Sequence, residues 1–301
     1  SIRIANSCTE RIGRAVVGRS TLVRLSARVA ALVPAWVTQP RWQAEAIASA
    51  SNQRGSIIAP RRPDSEKSMG PATLTRAATV AGLSAAQSGN SKGVSGVMGQ
   101  SVKIMALNVF GAIAGAETEN IDAAIRYAAD MGAHVINMSL GGPGRSDSTL
   151  SAMQYASSKG VVIAVAAGND NTNIEGTFFS PAGYARDVPG MLAVASTDSV
   201  TKQRSFFSNY SKTMVEIAAP GSNGILSTVP TNQYRNEQGT SMASPIVAGA
   251  MGLTYGLIWS RTGSAPTPST VKSILMASAD KLAALQSTVF DGNHLNLVKL
   301  A

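Results

Sequence analysis

The stretch Gln238–Leu253, QGTSMASPIVAGAMGL, sets Ser241 between a glycine turn and a long apolar run. Small residues on either side let the backbone turn tightly and bring a helix close to whatever the serine meets. At a helix N-terminus, unpaired N–H groups and the positive dipole end favour developing negative charge. The same placement suits a plain N-cap in front of a core helix. Acylation needs more, because a serine hydroxyl is a poor nucleophile without a base beside it. The chain has two histidines, His134 and His294. His134 precedes VINMSL at the entry of a predicted strand and His294 lies in DGNHLNL near the end, so both read as structural. Pro245 is expected in the first helical turn, where its missing N–H costs nothing.

Elements able to position Ser241 follow from about Val80 onward. SVKIMALNVF predicts a short buried strand, and NIDAAIRYAADMG an amphipathic helix with Asn120 as N-cap and Gly132 just past its end. AHVINMSLGG, VVIAVAAGND, MLAVAST and MVEIAAPG predict further apolar strands, with STLSAMQYASSKG as a helix between the first two. Continuous apolar strands alternating with helices of this length predict an α/β fold, a mostly parallel sheet covered on both faces. Sites in such sheets gather at the carboxyl ends of the strands, where SLGG, AAGND and APG fall.

The 301 residues are 44% hydrophobic and 14% charged, enough for one large or two small domains and a sizeable core. No apolar run is expected to reach membrane-spanning length. The chain begins at Ser1 rather than methionine, as a processed product or a fragment would. A single cysteine, Cys8, excludes an internal disulfide and a cysteine metal cluster. The net charge of +9 invites a polyanion reading, but residues 1–76 hold 12 basic and 4 acidic residues, and the remainder 14 and 13. Segment 1–76 also lacks Phe and Tyr and has 11 Arg to 1 Lys. A polyanion-binding arm would lack interleaved aromatics and any nucleic-acid motif. Residues 1–79 are therefore read as an anomalous basic segment, disordered or out of frame, preceding a domain at 80–301.

GTSMASPIVAGAMGL closely resembles the nucleophile segment of subtilisin-like serine proteases. INMSLGG resembles that family's substrate-binding strand, and VIAVAAGNDN its oxyanion-hole strand. SFFSNYS, VEIAAPG and GNHLNLVKLA match in order. The resemblance implies a three-layer α/β fold with a mostly parallel central sheet and helices on both faces. It implies a serine endopeptidase with Ser241 as acyl-forming nucleophile and Asn169 as side-chain donor to the tetrahedral oxyanion. It implies that Ser139, Leu140 and Gly141 pair with an extended substrate, with Gly141 and Gly142 leaving room for it, and that Ala167 and Gly168 wall the primary specificity pocket. It further implies polypeptide substrates, a monomer, no nucleic acid or membrane partner, secretion after removal of a signal and a pro-segment, and structural calcium. No cofactor is identified from the residues, and no calcium ligands can be named.

The family's aspartate and histidine motifs are absent. RAATVAG, Arg76 to Gly82, aligns with the histidine motif, placing Arg76 where the base belongs and Thr79 at the second histidine. Asp64, in RRPDSEK, has neither a strand before it nor Thr/Ser-Gly after it. An arginine does not give up its proton at working pH. Two explanations stand: an out-of-frame coding stretch upstream of Val80, or a pseudoprotease that binds peptides without cutting them. Either way the sheet is expected to lack its aspartate-bearing strand.

Overall fold

The computed structural model describes residues 27–32, 71–99, 102–110, 116 and 118–300, with the backbone alone for 27–32 and 71–76. Its strands, in chain order, are β1 (Ala27–Leu32), β2 (Val102–Leu107), β3 (Val135–Met138), β4 (Gly142–Pro143), β5 (Val162–Ala166), β6 (Phe179–Ser180), β7 (Met191–Asp198), β8 (Ile217–Ser222), β9 (Ile225–Val229), β10 (Gln233–Glu237), β11 (Asp280–Lys281) and β12 (Asn293–His294). The helices are α1 (Pro71–Ala85), α2 (Thr118–Asp130), α3 (Asp147–Ser158), α4 (Thr240–Thr262), α5 (Pro268–Ser278) and α6 (Leu297–Leu300). Eight strands form one sheet in the order β11-β12-β8-β7-β5-β3-β1-β2, parallel except for the β11–β12 pair.

The apolar strands divide their side chains between two cores, because successive residues point to opposite faces. Ile136, Met138, Ile163, Val165, Met191 and Ala193 pack with α2 and α3. Val135, Val162, Ala164, Leu192 and Val194 pack with α4 and α5. A strand apolar at every position thus needs helices on both sides, and the three-layer architecture follows.

Four expectations are corrected. The slot expected to be empty is filled: β1 lies between β2 and β3, with Ala27 opposite Val102 and Val29 opposite Val135. Its sequence ARVAAL lacks alternation, but an inner parallel strand does not need any. Strand β2 is not buried, since it ends the sheet and Ile104 is 40% exposed. Asn120 is not an N-cap: α2 begins at Thr118, and only its end before Gly132 falls where expected. Helix α4, 23 residues, is long and apolar enough to cross a membrane, although no such run was expected. Scattered Gly, Ser and Thr conceal its apolar character in a residue-by-residue scan. It is the central core helix, with 67% of its apolar window buried within the protein.

Candidate active site

Helix α4 is preceded by Gly239, whose φ of 144° lies where a Cβ is disfavoured. The Gly239 N–H donates to the Gly221 carbonyl at 2.8 Å, anchoring the helix start to β8. No side chain caps the helix, so Ser241, its second residue, is not an N-cap. Among the described residues the Ser241 amide finds no acceptor, and its Oγ no partner. Unpaired N–H groups at this helix end form a site for developing negative charge.

Asn169 follows the tip of β5. Its Oδ1 accepts from the Thr240 N–H at 2.9 Å and from the Thr240 hydroxyl at 3.0 Å. That assignment leaves the Nδ2 donor free of Thr240, 3.7 Å from where a Cβ on Gly239 would stand. Thr240, fully buried, also accepts from the Gly168 N–H at 3.2 Å. The structure thus brings Ser241, Asn169 and Gly168 together through one threonine. Ala167 is buried and Ser139 and Leu140 are half-buried, all at the carboxyl ends of neighbouring strands β3 and β5. Gly142 has open space beside it. The expected room at Gly141 is not there: a Cβ would stand 2.5 Å from Phe179 Cε1 and 2.9 Å from the Ser180 carbonyl, because β6 packs against this turn.

Pro245 corrects a further expectation, since it is the sixth residue of α4 rather than part of the first turn. It has no N–H for the carbonyl four residues back, that of Ser241. Ser139 supplies the missing donor, its Oγ bonding to Ser241 O at 3.0 Å. The Ser139 Oγ in turn accepts from Asn137 Nδ2 at 3.0 Å, and Asn137 Oδ1 accepts from Ser244 Oγ at 2.7 Å. Asn137 and Ser244 are fully buried. Ser139→Ala should therefore cost about 1 kcal/mol, the worth of one net hydrogen bond. In a Pro245→Ala background the helix regains its own donor, and that cost should vanish. Strict additivity of the two melting-temperature shifts would contradict this coupling.

Comparisons with known proteins show the family. A model described as the subtilase family, Peptidase S8, matches residues 76–293. The chain belongs to the subtilase family. It is 40% identical over 174 residues to a thermophilic serine proteinase from Bacillus sp. (strain AK1), covering 58% of this chain and 41% of that protein. It is 38% identical over 203 residues to Thermitase from Thermoactinomyces vulgaris, covering 67% of this chain and 66% of that protein. It spans less than two thirds of the length of either. A solved structure of a protease from Pseudoalteromonas arctica superposes with TM-score 0.70 at 27% identity, covering 92% of this chain and 89% of that one.

The subtilase match begins at Arg76, in α1. Thr79, in the same helix, is fully buried, and its Oγ1 donates to the Thr228 carbonyl at 3.2 Å. Ser227 and Thr228 hydroxyls donate back to the Thr79 and Ala78 carbonyls, each at 2.8 Å. The β9–β10 hairpin thereby grips α1, and Ser84 Oγ joins α1 to the Pro245 carbonyl of α4 at 3.0 Å. Asp64 lies outside the described residues. The two histidines stand away from Ser241. His134 packs on Tyr255 at 4.8 Å between ring centroids, 14 residues further along α4, or about 21 Å at 1.5 Å per residue. His294 is buried, with Nδ1 at 3.1 Å from the Leu295 carbonyl and Nε2 at 3.0 Å from Thr197 Oγ1. The carbonyl can only accept, so Nδ1 carries a proton, and a ring protonated there alone accepts from Thr197 at Nε2. Burial holds this imidazole below its usual pKa. No group of three or more His, Cys, Asp or Glu gathers as a metal site among the described residues. Thr240, Asn137 and Asn209 were not singled out from sequence. Each lies within a matching segment, GTSMASPIVAGAMGL, INMSLGG and SFFSNYS respectively, as a residue without an assigned role.

Proposed function

We propose that this chain is a serine endopeptidase of the subtilase family that cleaves polypeptides through an acyl-enzyme on Ser241. The observation that carries this reading is Ser241 at the uncapped start of α4 with the Asn169 amide beside it. Ser241 Oγ attacks the scissile carbonyl. The oxyanion meets Asn169 Nδ2 and the Ser241 N–H, where one such side-chain donor contributes about 3–4 kcal/mol in subtilisin. Ser139, Leu140 and Gly141 pair with the substrate backbone, and Ala167 and Gly168 wall its specificity pocket. The serine proton passes by way of solvent to the amine nitrogen as the C–N bond breaks, and water then hydrolyses the ester to release the acid and restore the serine hydroxyl. The family supports an extracellular location and action as a monomer, with neither nucleic acid nor membrane as partner.

Turnover is impaired, because Arg76 stands where the base belongs. Loss of that base costs about six orders of magnitude in subtilisin, leaving roughly 10³–10⁴ over water. An out-of-frame stretch over residues 1–79 accounts for the missing aspartate and histidine together with the arginine excess. Sequencing the coding DNA tests this: another frame must contain Asp-Thr/Ser-Gly and His-Gly-Thr-His. The second reading, peptide binding without turnover, is favoured by Arg76 alone. A fluorophosphonate separates the two. Slow labelling that disappears in Ser241→Ala supports acylation, and tight peptide binding without any labelling supports the pseudoprotease.

A further inference from the structure

We propose that Asn209 is a positioning residue for the oxyanion site, clamping the loop Ala167–Thr172 that carries Asn169. Asn209 is fully buried, in the SFFSNYS segment after β7. Its Oδ1 accepts from the Asp170 N–H at 2.9 Å and the Thr172 N–H at 3.0 Å. Its Nδ2 donates to the Ala167 carbonyl at 3.0 Å and reaches Asp170 Oδ2 at 3.5 Å. Its backbone N–H donates to the Gly168 carbonyl at 2.9 Å. One side chain and its own amide thus hold the loop on both sides of Asn169, while Thr240 holds the Asn169 side chain. The reversed amide would set two donors against two N–H groups, so the orientation is determined by its partners.

The contact also explains Gly168. Its φ is 106°, and a Cβ there would stand 2.2 Å from Asn209 Nδ2. Asn209 is itself held. Arg204 donates to the Ser208 carbonyl and to Asn171 Oδ1, the latter at 2.9 Å, and lies 4.6 Å above the Tyr210 ring. The Asn171 N–H bonds the Phe207 carbonyl at 2.7 Å, and the Tyr210 N–H bonds the Thr172 carbonyl at 3.0 Å. The loop bearing Asn169 is therefore laced along its length to segment 207–210. Preorganised donors stabilise an oxyanion only if they need not reorganise as charge develops. Asn209 meets that need for Asn169, whose own residue is exposed.

The inference rests on the reading of Asn169 as oxyanion donor. The test uses the whole chain and a peptide p-nitrophenyl ester, whose leaving group needs no protonation. Asn209→Ala is expected to lower kcat about 10²-fold with KM little changed, the cost of displacing a catalytic group by about 1 Å. Hydrogen exchange at the Asp170 and Thr172 amides should accelerate in the same variant. Faster exchange with unchanged kcat overturns the positioning role, and unchanged exchange overturns the clamp. Should Asn209→Ala not fold, Asn209→Asp keeps an oxygen to accept from the Asp170 and Thr172 N–H groups and loses the donor to Ala167. It must then lower kcat without altering KM, and an unchanged kcat in that folded variant overturns the proposal. If the parent chain turns over no faster than Ser241→Ala, the reading of Ser241 fails instead, and exchange alone decides the clamp.

Discussion

Arg76→His is expected to raise ester turnover about 10²-fold over the parent chain. In subtilisin, losing the histidine costs about 2 × 10⁶ in kcat and losing the aspartate alone about 3 × 10⁴. A chain that regains its base but not its aspartate therefore recovers the ratio of these losses. The helix that would present the base is already built. Ala78, Thr79 and Ser84 tie α1 to the β9–β10 hairpin and to Pro245 of α4, so the substitution enters a held backbone. The regained activity should rise with pH through about 6.5, because the imidazole must be neutral to accept the serine proton. Arg76→Ala controls for removal of the guanidinium. Equal turnover in Arg76→His and Arg76→Ala would show that position 76 does not face Ser241.

Glu216→Gln should remove the steepest pH dependence of stability in the described domain. Glu216 is buried just before β8. Its Oε1 accepts from Lys272 Nζ at 2.5 Å, while Oε2 has no partner. Lys272 also donates to the Ala185 carbonyl at 3.1 Å. Burial pushes the carboxyl up to about 7, against the opposing pull of Lys272 and Arg186. The folded state thus holds this proton more tightly than the unfolded state does. Its stabilisation is full below the unfolded pKa near 4.5 and is lost as pH rises through about 7. The loss over that window amounts to about 3 kcal/mol, because each tenfold change in proton affinity is worth about 1.36 kcal/mol. Denaturant melts of parent and variant at pH 4.5, 6 and 8 give the difference directly. His294 drops out of that difference because both chains carry it. Its depressed pKa acts in the opposite sense, adding stability above about 6.5 that is lost as pH falls. Parallel stability profiles for the two chains would mean that Glu216 binds its proton no more tightly in the folded state than in the unfolded one.

Local chemistry made much of the fold and part of the site legible. Runs such as VIAVA and MLAVA are apolar at every position, and a strand of that kind can only lie between two helical layers. Ser241 could be assigned to a helix start because small residues and an apolar helix follow one another in the chain. Strand β1 was not legible, because ARVAAL is too short to distinguish an inner strand from a buried helical turn. Its place is decided by the hydrogen-bonding edges that β2 and β3 offer it.

The polar network around Ser241 depends on residues distant in sequence. Pro245 removes a donor from the Ser241 carbonyl, and the replacement comes from Ser139, 102 positions away. Asn169 is oriented by Thr240, 71 positions away, and its loop is bonded by Asn209. A hydroxyl or amide acquires a function through the partner it faces, and only chain folding brings such partners together. What the sequence determined alone was the absence of a base. The histidine motif is missing and Arg76 stands in its place, and no tertiary contact can let an arginine accept the serine proton. That His134 and His294 stand away from Ser241 is decided by the tertiary structure, which sets one on Tyr255 and the other against Thr197.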